Sequence, residues 1–322
     1  MTVNVQSLLD ELNERRTPDR MDVALMTLVT YFEDTAVGEW LRDRLQALAA
    51  KDPARVILLD ATQPSGTRTV NAEWLELGVA GEDPEALLSI VSSLTLPQAP
   101  VVLVWASKRV AGDALFAALS SLARTIVYNS SALGSDDSGL RALVELERDH
   151  PEMLLSDIAY LRLAPWQESI ALFFDAKNVI RELFDLRRVE ITSGSAAEAY
   201  YLLGWLASRL EWKPCACDRF CNRFGTEIAF TLTHDGPPRR IRRVALHSTQ
   251  SQFVAELQPG DPGAIELRVE GNARQDARCH PLVEYGTSAL IERAILTGRH
   301  DRIFQDTLAA AAEILARQEA AR

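Results

Sequence analysis

The chain has 322 residues, of which 47% are apolar and 25% are charged, and its formal net charge is −11. This composition is typical of a globular protein, so disorder over most of the length is not expected, and the length favours two domains. The acidic balance disfavours nucleic acids and anionic membranes as partners, because both attract basic surfaces.

The N-terminal segment and the cysteines indicate the compartment. Residues 1–16, MTVNVQSLLDELNERR, carry charges too early to form the apolar stretch of a signal peptide. No window approaches the roughly 18 apolar residues of a membrane span. Four cysteines in a chain of this length are not the framework of a small disulfide-rich domain. We therefore expect a cytoplasmic protein whose cysteines are thiols and which has no membrane partner.

Strands alternate with helices in the first half of the chain. Segments 23–32 and 55–60 are apolar runs of strand length, and apolar residues recur at helical spacing between them. Residues 65–81 offer a further strand. The pattern predicts an N-terminal α/β domain with a largely parallel or mixed sheet covered by helices. The alternation continues through segments 85–94, 101–105, 113–123, 125–129 and 136–152.

A long helix is predicted to begin at Pro165, because proline is acceptable in a first turn and apolar residues recur at helical spacing as far as Leu183. A strand at 187–192 follows. Ser195 and Glu198 then have the spacing of a capping box at the start of the next helix.

Strands joined by turns dominate the region from 226 to 271, and helices at 283–298 and 301–318 close the chain. We predict a C-terminal α+β domain with an antiparallel meander and closing helices. The predicted division is 1–165 for the N-terminal domain and 166–322 for the C-terminal domain.

The familiar catalytic motifs are absent from the sequence. No G-x-G-x-x-G or G-x-x-x-x-G-K-[ST] loop is present to hold a phosphate, and there is neither an H-E-x-x-H pair nor a G-x-S-x-G serine. We therefore assign no catalytic residue, no cofactor and no metal, and we expect a protein that is not an enzyme.

A cluster of cysteines is the best local candidate for chemistry. The segment PCACDRFC contains Cys215, Cys217 and Cys221, and Cys279 and His280 lie far downstream. Three interpretations stay open: a zinc site, a redox-responsive set of thiols, or inert residues in a loop. The C-x-C-x-x-x-C spacing departs from the paired C-x-x-C clusters of structural zinc sites.

Five segments together carry a family resemblance. They are DPARVILLD (52–60), LPQAPVVLVW (96–105), RTIVYNSS (124–131), SDIAYLRLAPWQESIALFFD (156–175) and LLGWLASRLEW (202–212). In order and spacing they resemble the OpcA family of glucose-6-phosphate dehydrogenase assembly proteins, over the first two thirds of the chain and again in the closing helices. The sequence departs from the family pattern at Asp52, Tyr160 and Gln167, where His, Trp and Arg are frequent.

The resemblance implies a non-catalytic partner that binds glucose-6-phosphate dehydrogenase, promotes its active oligomer and raises its activity in the oxidative pentose phosphate pathway. We expect Arg162, Pro165 and a partly exposed Trp166 to serve in partner contact or at a domain junction. Photosynthetic members of the family are associated with thioredoxin-type control. The resemblance therefore implies a thioredoxin-type reductant as a second expected partner, acting on the cysteine cluster.

Two other functions stay open. An enzyme or binding protein for a small phosphorylated sugar would use Arg162, Arg187 and Arg188 to hold phosphate. A scaffold for a different protein partner would show neither turnover nor activation of the dehydrogenase.

Overall fold

The computed structural model shows two compact units, each assembled from separate stretches of the chain. The first comprises Met1–Asn129, Glu145–Ile158 and Gly286–His300, and the second comprises Ser130–Val144, Ala159–Tyr285 and Asp301–Arg322. The residues that the structure describes are 5–15, 24–110, 112–132, 136–175, 179–238, 240–271, 274–283, 286–296 and 301–321.

Helices and strands alternate in the first half and strands dominate the second. The helices are α1 (Val5–Arg15), α2 (Thr35–Lys51), α3 (Pro84–Leu94), α4 (Ala114–Ser120), α5 (Ser138–Asp149), α6 (Ile158–Leu161), α7 (Ala164–Ala171), α8 (Ile180–Leu183), α9 (Ala196–Arg209), α10 (Thr287–Leu296) and α11 (Arg302–Ala320). The strands are β1 (Met26–Phe32), β2 (Ala54–Pro64), β3 (Arg68–Asn71), β4 (Trp74–Ala80), β5 (Val101–Ala106), β6 (Thr125–Tyr128), β7 (Leu154–Asp157), β8 (Leu186–Gly194), β9 (Lys213–Ala216), β10 (Arg219–Cys221), β11 (Glu227–Pro238), β12 (Ile241–Ser248), β13 (Ser251–Gln258), β14 (Asp261–Gly271) and β15 (Arg274–Pro281).

A seven-stranded sheet forms the centre of the first unit, in the order β3-β4-β2-β1-β5-β6-β7. All neighbouring strands are parallel except β3, which runs antiparallel to β4. On the central strand, Val29 lies opposite Ile57 of β2 and Leu103 of β5, and all three side chains are buried. These apolar runs without alternation are typical of parallel strands that are covered on both faces.

Helix α10 belongs to this first unit although it lies late in the sequence. It packs against α2 and β6. Leu290 and Ile291 of α10 are buried, and Lys51 at the end of α2 forms an ion pair with Glu292. A late segment of the sequence therefore completes the core of an early one.

An eight-stranded sheet forms the second unit, in the order β15-β14-β13-β12-β8-β11-β10-β9. Strands β12 to β15 form an antiparallel meander, whereas β8 pairs parallel with β11 and antiparallel with β12. Val189 of β8 lies opposite Phe230 and Leu246, so the centre of this sheet is apolar.

Helix α9 lies against α11 in the same unit. The hydroxyl of Ser195 caps α9 by accepting a hydrogen bond from the backbone N–H of Glu198, which confirms the predicted start of that helix. A Cβ atom on Gly204 would lie only 2.7 Å from the carbonyl oxygen of Thr307 and 3.1 Å from the backbone nitrogen of Ala311. The glycine is what allows the two helices to approach so closely.

The predicted fold class is confirmed for both halves of the chain. The long helix predicted from Pro165 to Leu183 is wrong: α7 ends at Ala171, a 3₁₀ turn covers Leu172–Phe174, and α8 begins at Ile180, with residues 176–178 outside the described residues. Residues 65–81 supply two strands rather than one. In the described ranges no helix has the length and apolar character needed to cross a membrane.

The division into 1–165 and 166–322 stays a prediction. The two compact units are defined by spatial contact, and each contains stretches from both sides of residue 165.

We expect Gly204→Ala to lower the free energy of unfolding by about 1–3 kcal/mol, because the added methyl group would force α11 away from α9. In an uncrowded helix the same change would stabilise the protein by nearly 1 kcal/mol. The sign of the change in the free energy of unfolding therefore tests whether α9 and α11 are closely packed at Gly204. Urea denaturation would measure it. Gly286→Ala is the control, since a Cβ at that position meets no atom within 4 Å; equal effects of the two changes would contradict the close packing.

Candidate functional site

The cysteine cluster forms a small hairpin at one edge of the second sheet. Strands β9 and β10 pair antiparallel, and a disulfide joins Cys215 to Cys221 with a Cα to Cα distance of 5.8 Å. Cys217 lies in the turn between them as an exposed thiol. The expectation that all the cysteines are thiols is therefore wrong for this pair, because the antiparallel pairing brings two of the three within bonding distance.

The downstream pair, Cys279 and His280, lies on β15 at the opposite edge of the same sheet. Strands in a sheet are about 4.8 Å apart, so across eight strands the two edges are separated by roughly 30 Å. The two groups cannot share a zinc ion. Within the described part of the chain, no cluster of three or more His, Cys, Asp or Glu side chains is arranged to hold a metal.

A cluster of aromatic side chains anchors the cysteine hairpin to the sheet. Phe220, next to Cys221, is fully buried, and its ring lies 5.9 Å from that of Trp212 and 5.2 Å from that of Phe230. Arg219 points to solvent, where its hydrogen bond to Glu227 raises the pKa of the guanidinium. The hairpin therefore has a fixed apolar side and an exposed side that carries the sulfur atoms of Cys215 and Cys217.

The Arg162 side chain takes part in an interior ion pair. Its Nη1 donates to Glu198 at 2.5 Å and to the hydroxyl of Ser131 at 3.1 Å. The Glu198 side chain is 1% exposed and that of Arg162 is 25% exposed. A carboxylate in this position needs a cation, because burying an unpaired charge is costly. The predicted role of Arg162 in partner contact stays a prediction.

Pro165 and Trp166 begin helix α7, as the sequence predicts. The indole of Trp166 is only 4% exposed, so the expectation of a partly exposed tryptophan is wrong. Trp166 lies on the same side of the short helix as Ile170, which is also buried, and Ser169 donates to the carbonyl oxygen of Pro165. The buried residues of α7 lie on one face of the helix, and Trp166 is one of them. Its role, and that of Pro165, at a partner contact or domain junction stays a prediction.

The arginines proposed to hold a phosphorylated sugar are engaged with carboxylates. Arg187 pairs with Asp185 at 2.7 Å, and Arg188 pairs with Glu190 at 2.9 Å. The two are consecutive residues of β8, so their side chains leave opposite faces of the strand. With Arg162 paired to Glu198, this geometry gives the phosphate-binding hypothesis no support.

We expect Arg162→Met to lower the free energy of unfolding by about 3 kcal/mol, because it removes the cation that pairs with the buried Glu198 carboxylate. The double variant Arg162→Met with Glu198→Leu should recover most of that loss, since it removes both charges. Urea denaturation measures both.

The matched control is Arg148→Met, because Arg148 pairs with Asp149 at the surface, where the two side chains are 72% and 51% exposed. Its effect should stay within about 0.5 kcal/mol. Equal losses for Arg148→Met and Arg162→Met would contradict the importance of the buried pair.

A second group of polar side chains lies at the carboxyl edge of the first sheet, where β1 and β5 end. The Tyr31 hydroxyl donates to Glu33 at 3.1 Å and accepts from Arg109 at 3.0 Å, and Arg109 forms an ion pair with Glu33. The Tyr31 ring stacks on Trp105 at 4.5 Å. Burial raises the pKa of Tyr31 to about 12, and the Glu33 carboxylate adds to the rise.

A cavity of about 500 Å³ opens beside this group. Its charged lining residues are Glu33, Glu82, Asp113 and Arg109. Arg109 also approaches Asp113 at 3.7 Å, and Glu82 accepts a hydrogen bond from Ser65. This group was not predicted from the sequence. Polar residues directly after β1 and β5 are a usable signal for it, because the carboxyl ends of parallel strands meet at one edge of a sheet.

Comparison with known families identifies both halves of the chain. Residues 45–145 match the N-terminal domain, and residues 153–308 the C-terminal domain, of a family described as glucose-6-phosphate dehydrogenase subunit, OpcA type. The "Putative OxPP cycle protein OpcA" of Synechocystis sp. is 25% identical, covering 83% of this chain and 65% of that protein. Its counterpart in Nostoc punctiforme is 31% identical over 47% of this chain and 32% of its own length. The chain thus spans less than two thirds of these relatives.

Solved structures share the fold at low sequence identity. The 3-ketoreductase KijD10 from Actinomadura kijaniata, crystallised with NADP, has a TM-score of 0.53 at 12% identity and covers 91% of this chain and 97% of its own. A levoglucosan dehydrogenase complexed with NADH has a TM-score of 0.51 at 12% identity and covers 92% of this chain and 97% of its own. At these identities the likeness shows the fold alone.

The carboxyl edge of the first sheet does not fit a dinucleotide. In open α/β sheets the pyrophosphate lies at the N-terminus of the helix that follows the first strand, on a glycine-rich turn. Here the turn begins with Glu33 and Asp34, and the Asp34 carboxylate already caps α2 by accepting from the backbone N–H of Val37. A Cβ on Gly38 would lie 2.3 Å from the Phe32 ring, so that glycine serves packing rather than ligand approach.

We expect no saturable NADPH binding to the intact protein at concentrations up to about 1 mM, because Glu33, Asp34 and Glu82 would repel a pyrophosphate. The measurement is the fluorescence of NADPH titrated with the protein, with an NADP-dependent dehydrogenase as the positive control. A saturable increase in fluorescence at micromolar NADPH would contradict the conclusion that the carboxyl edge of the first sheet does not fit a dinucleotide.

Proposed function

Because the chain belongs to the OpcA family of glucose-6-phosphate dehydrogenase assembly proteins, we propose that it is a non-catalytic partner that binds glucose-6-phosphate dehydrogenase and promotes its active oligomer. In this proposal it raises dehydrogenase activity at the entrance to the oxidative pentose phosphate pathway, in the cytoplasm. The observation that carries the proposal is the match of both family domains, in order, over 45–145 and 153–308.

The chemistry of the described residues supports a binding role. The carboxyl edge of the first sheet is blocked for a dinucleotide by Glu33 and Asp34, and the arginines that could hold a sugar phosphate are engaged with carboxylates. A protein without a reacting group can still activate an enzyme, provided that it binds the active form more tightly than the inactive form. A tenfold shift of the equilibrium toward the active form needs a difference of about 1.4 kcal/mol between the binding free energies for the two forms.

The Cys215 to Cys221 disulfide supports a redox-controlled version of this role, with a thioredoxin-type dithiol protein as the reductant. Cys215 is exposed, so an attacking thiolate can reach its sulfur. Reduction converts the disulfide to two thiols with two electrons and two protons, and the two thiols of the reductant become a disulfide. Cys217 is an exposed free thiol outside the disulfide, so its substitution provides a matched control.

We expect a saturable rise in dehydrogenase activity when the enzyme of the same organism is titrated with this protein, and co-elution of the two on a sizing column. The half-saturating concentration should differ between the oxidised and reduced forms. Cys215→Ser with Cys221→Ser should abolish that difference, because no disulfide can form, whereas Cys217→Ser should retain it.

The absence of both activation and co-elution at micromolar concentrations would overturn the proposed function. Activation that is identical for the oxidised and reduced forms would overturn only the redox control.

A further inference from the structure

Three large exposed apolar side chains lie on neighbouring segments of the second unit. Phe224 is 68% exposed, Ile180 is 47% exposed and Phe184 is 45% exposed. Ile180 and Phe184 are four residues apart on α8 and its C-cap, so they lie on one face. Phe224 lies in the turn that joins β10 to β11. Large side chains left in water together mark an interaction site more often than an accident of packing.

Arg223 links the two parts of this surface. Its guanidinium carbon lies 4.8 Å from the centre of the Phe224 ring and 5.4 Å from that of the Phe184 ring. The side-chain amide of Asn222 donates to the carbonyl oxygen of Phe184 at 3.3 Å, which fastens the turn to the end of α8. We call the four side chains Ile180, Phe184, Arg223 and Phe224 the aromatic tip.

Local hydrogen bonds order the turn that carries Arg223 and Phe224. The Asn222 carboxamide oxygen accepts from the backbone N–H groups of Phe224 and Thr226, each at 2.9 Å. Gly225 has a φ of 77°, a left-handed conformation that suits glycine. A preformed surface spends less free energy on ordering when it binds.

The charge of the aromatic tip is opposite to that of the protein as a whole. Within the described residues Arg223 forms no ion pair, and its guanidinium lies over the two rings described above. The formal net charge of the chain is −11. An arginine stacked on aromatic rings is a frequent energetic centre of protein interfaces, and its free N–H groups suit a carboxylate.

We infer that the aromatic tip is the surface that docks on glucose-6-phosphate dehydrogenase, against an apolar depression bordered by carboxylates. This inference rests on the proposed function and names the contact surface within it. Cys221 directly precedes Asn222, so its bond to Cys215 fixes the strand from which the tip begins. Reduction of the disulfide therefore acts at the base of the docking surface.

The test is a binding titration of the intact protein to the dehydrogenase by calorimetry, in parallel with the activation assay. Phe224→Ala and Arg223→Glu should each raise Kd by about 30-fold, as expected for residues at an energetic centre. Arg223→Lys should raise Kd less than Arg223→Glu does, because lysine keeps the positive charge and loses only the planar guanidinium donors.

Control variants carry matched changes elsewhere. Leu25→Ala removes an exposed apolar side chain of 62% exposure, and Arg148→Glu makes the same charge inversion at an arginine of 72% exposure. Both should leave Kd unchanged within about twofold. All the changed side chains are exposed, so each variant should fold like the unchanged protein. Thermal denaturation of each variant checks this.

The outcomes separate the two proposals. If the unchanged protein activates the dehydrogenase and the tip variants bind as tightly as the controls, the docking surface is overturned and the proposed function stands. If the unchanged protein neither binds nor activates, both are overturned. If the tip variants instead dissociate a self-association seen by sedimentation, the tip is an interface between copies of this chain and the inference is overturned.

Discussion

A carboxylate as deeply buried as that of Glu198 requires a cation at hydrogen-bonding distance, and this requirement constrains how the second unit is assembled. Glu198 is held at the start of α9 by the Ser195 cap. Arg162, which neutralises it, lies between α6 and α7, so the ion pair fixes the corner at which α7 starts and Trp166 is buried. Helix α9 is in turn locked against α11 by the close approach at Gly204, so displacement of one contact would disturb several elements.

The first unit shows how one fold can serve different purposes. Its sheet order and parallel strands place a crevice where dinucleotide-binding proteins hold their cofactor. The sequence has filled the decisive positions with side chains that pair with one another, Tyr31, Glu33 and Arg109, and with Asp34 as a helix cap. The architecture is shared with dehydrogenases, whereas the site is not, which is consistent with function residing in local chemistry rather than in the fold.

The sequence predicted those elements whose local pattern and environment agree. The central strands of the first sheet contain mostly apolar residues, and the capping box at Ser195 marks a real helix start. The long helix failed because Phe173 and Phe174 pack on Phe253 of β13, a tertiary contact that favours a 3₁₀ turn over a continued helix. Strand β15 was missed because RQDARCHP is a polar edge strand without an apolar face.

The functional surfaces were less predictable because exposure and pairing are properties of three-dimensional structure. A tryptophan in a first turn and a phenylalanine in a polar loop look alike in sequence, yet Trp166 is buried and Phe224 is exposed. The spacing of the cysteines also did not reveal which two would bond.

The position of α10 affects how the protein folds during its synthesis. Residues 286–296 complete the core against α2 and β6, so the first unit cannot close its core until the ribosome has synthesised the chain through α10. A fragment that ends before α10 would expose the apolar surface of α2 and β6 that α10 covers.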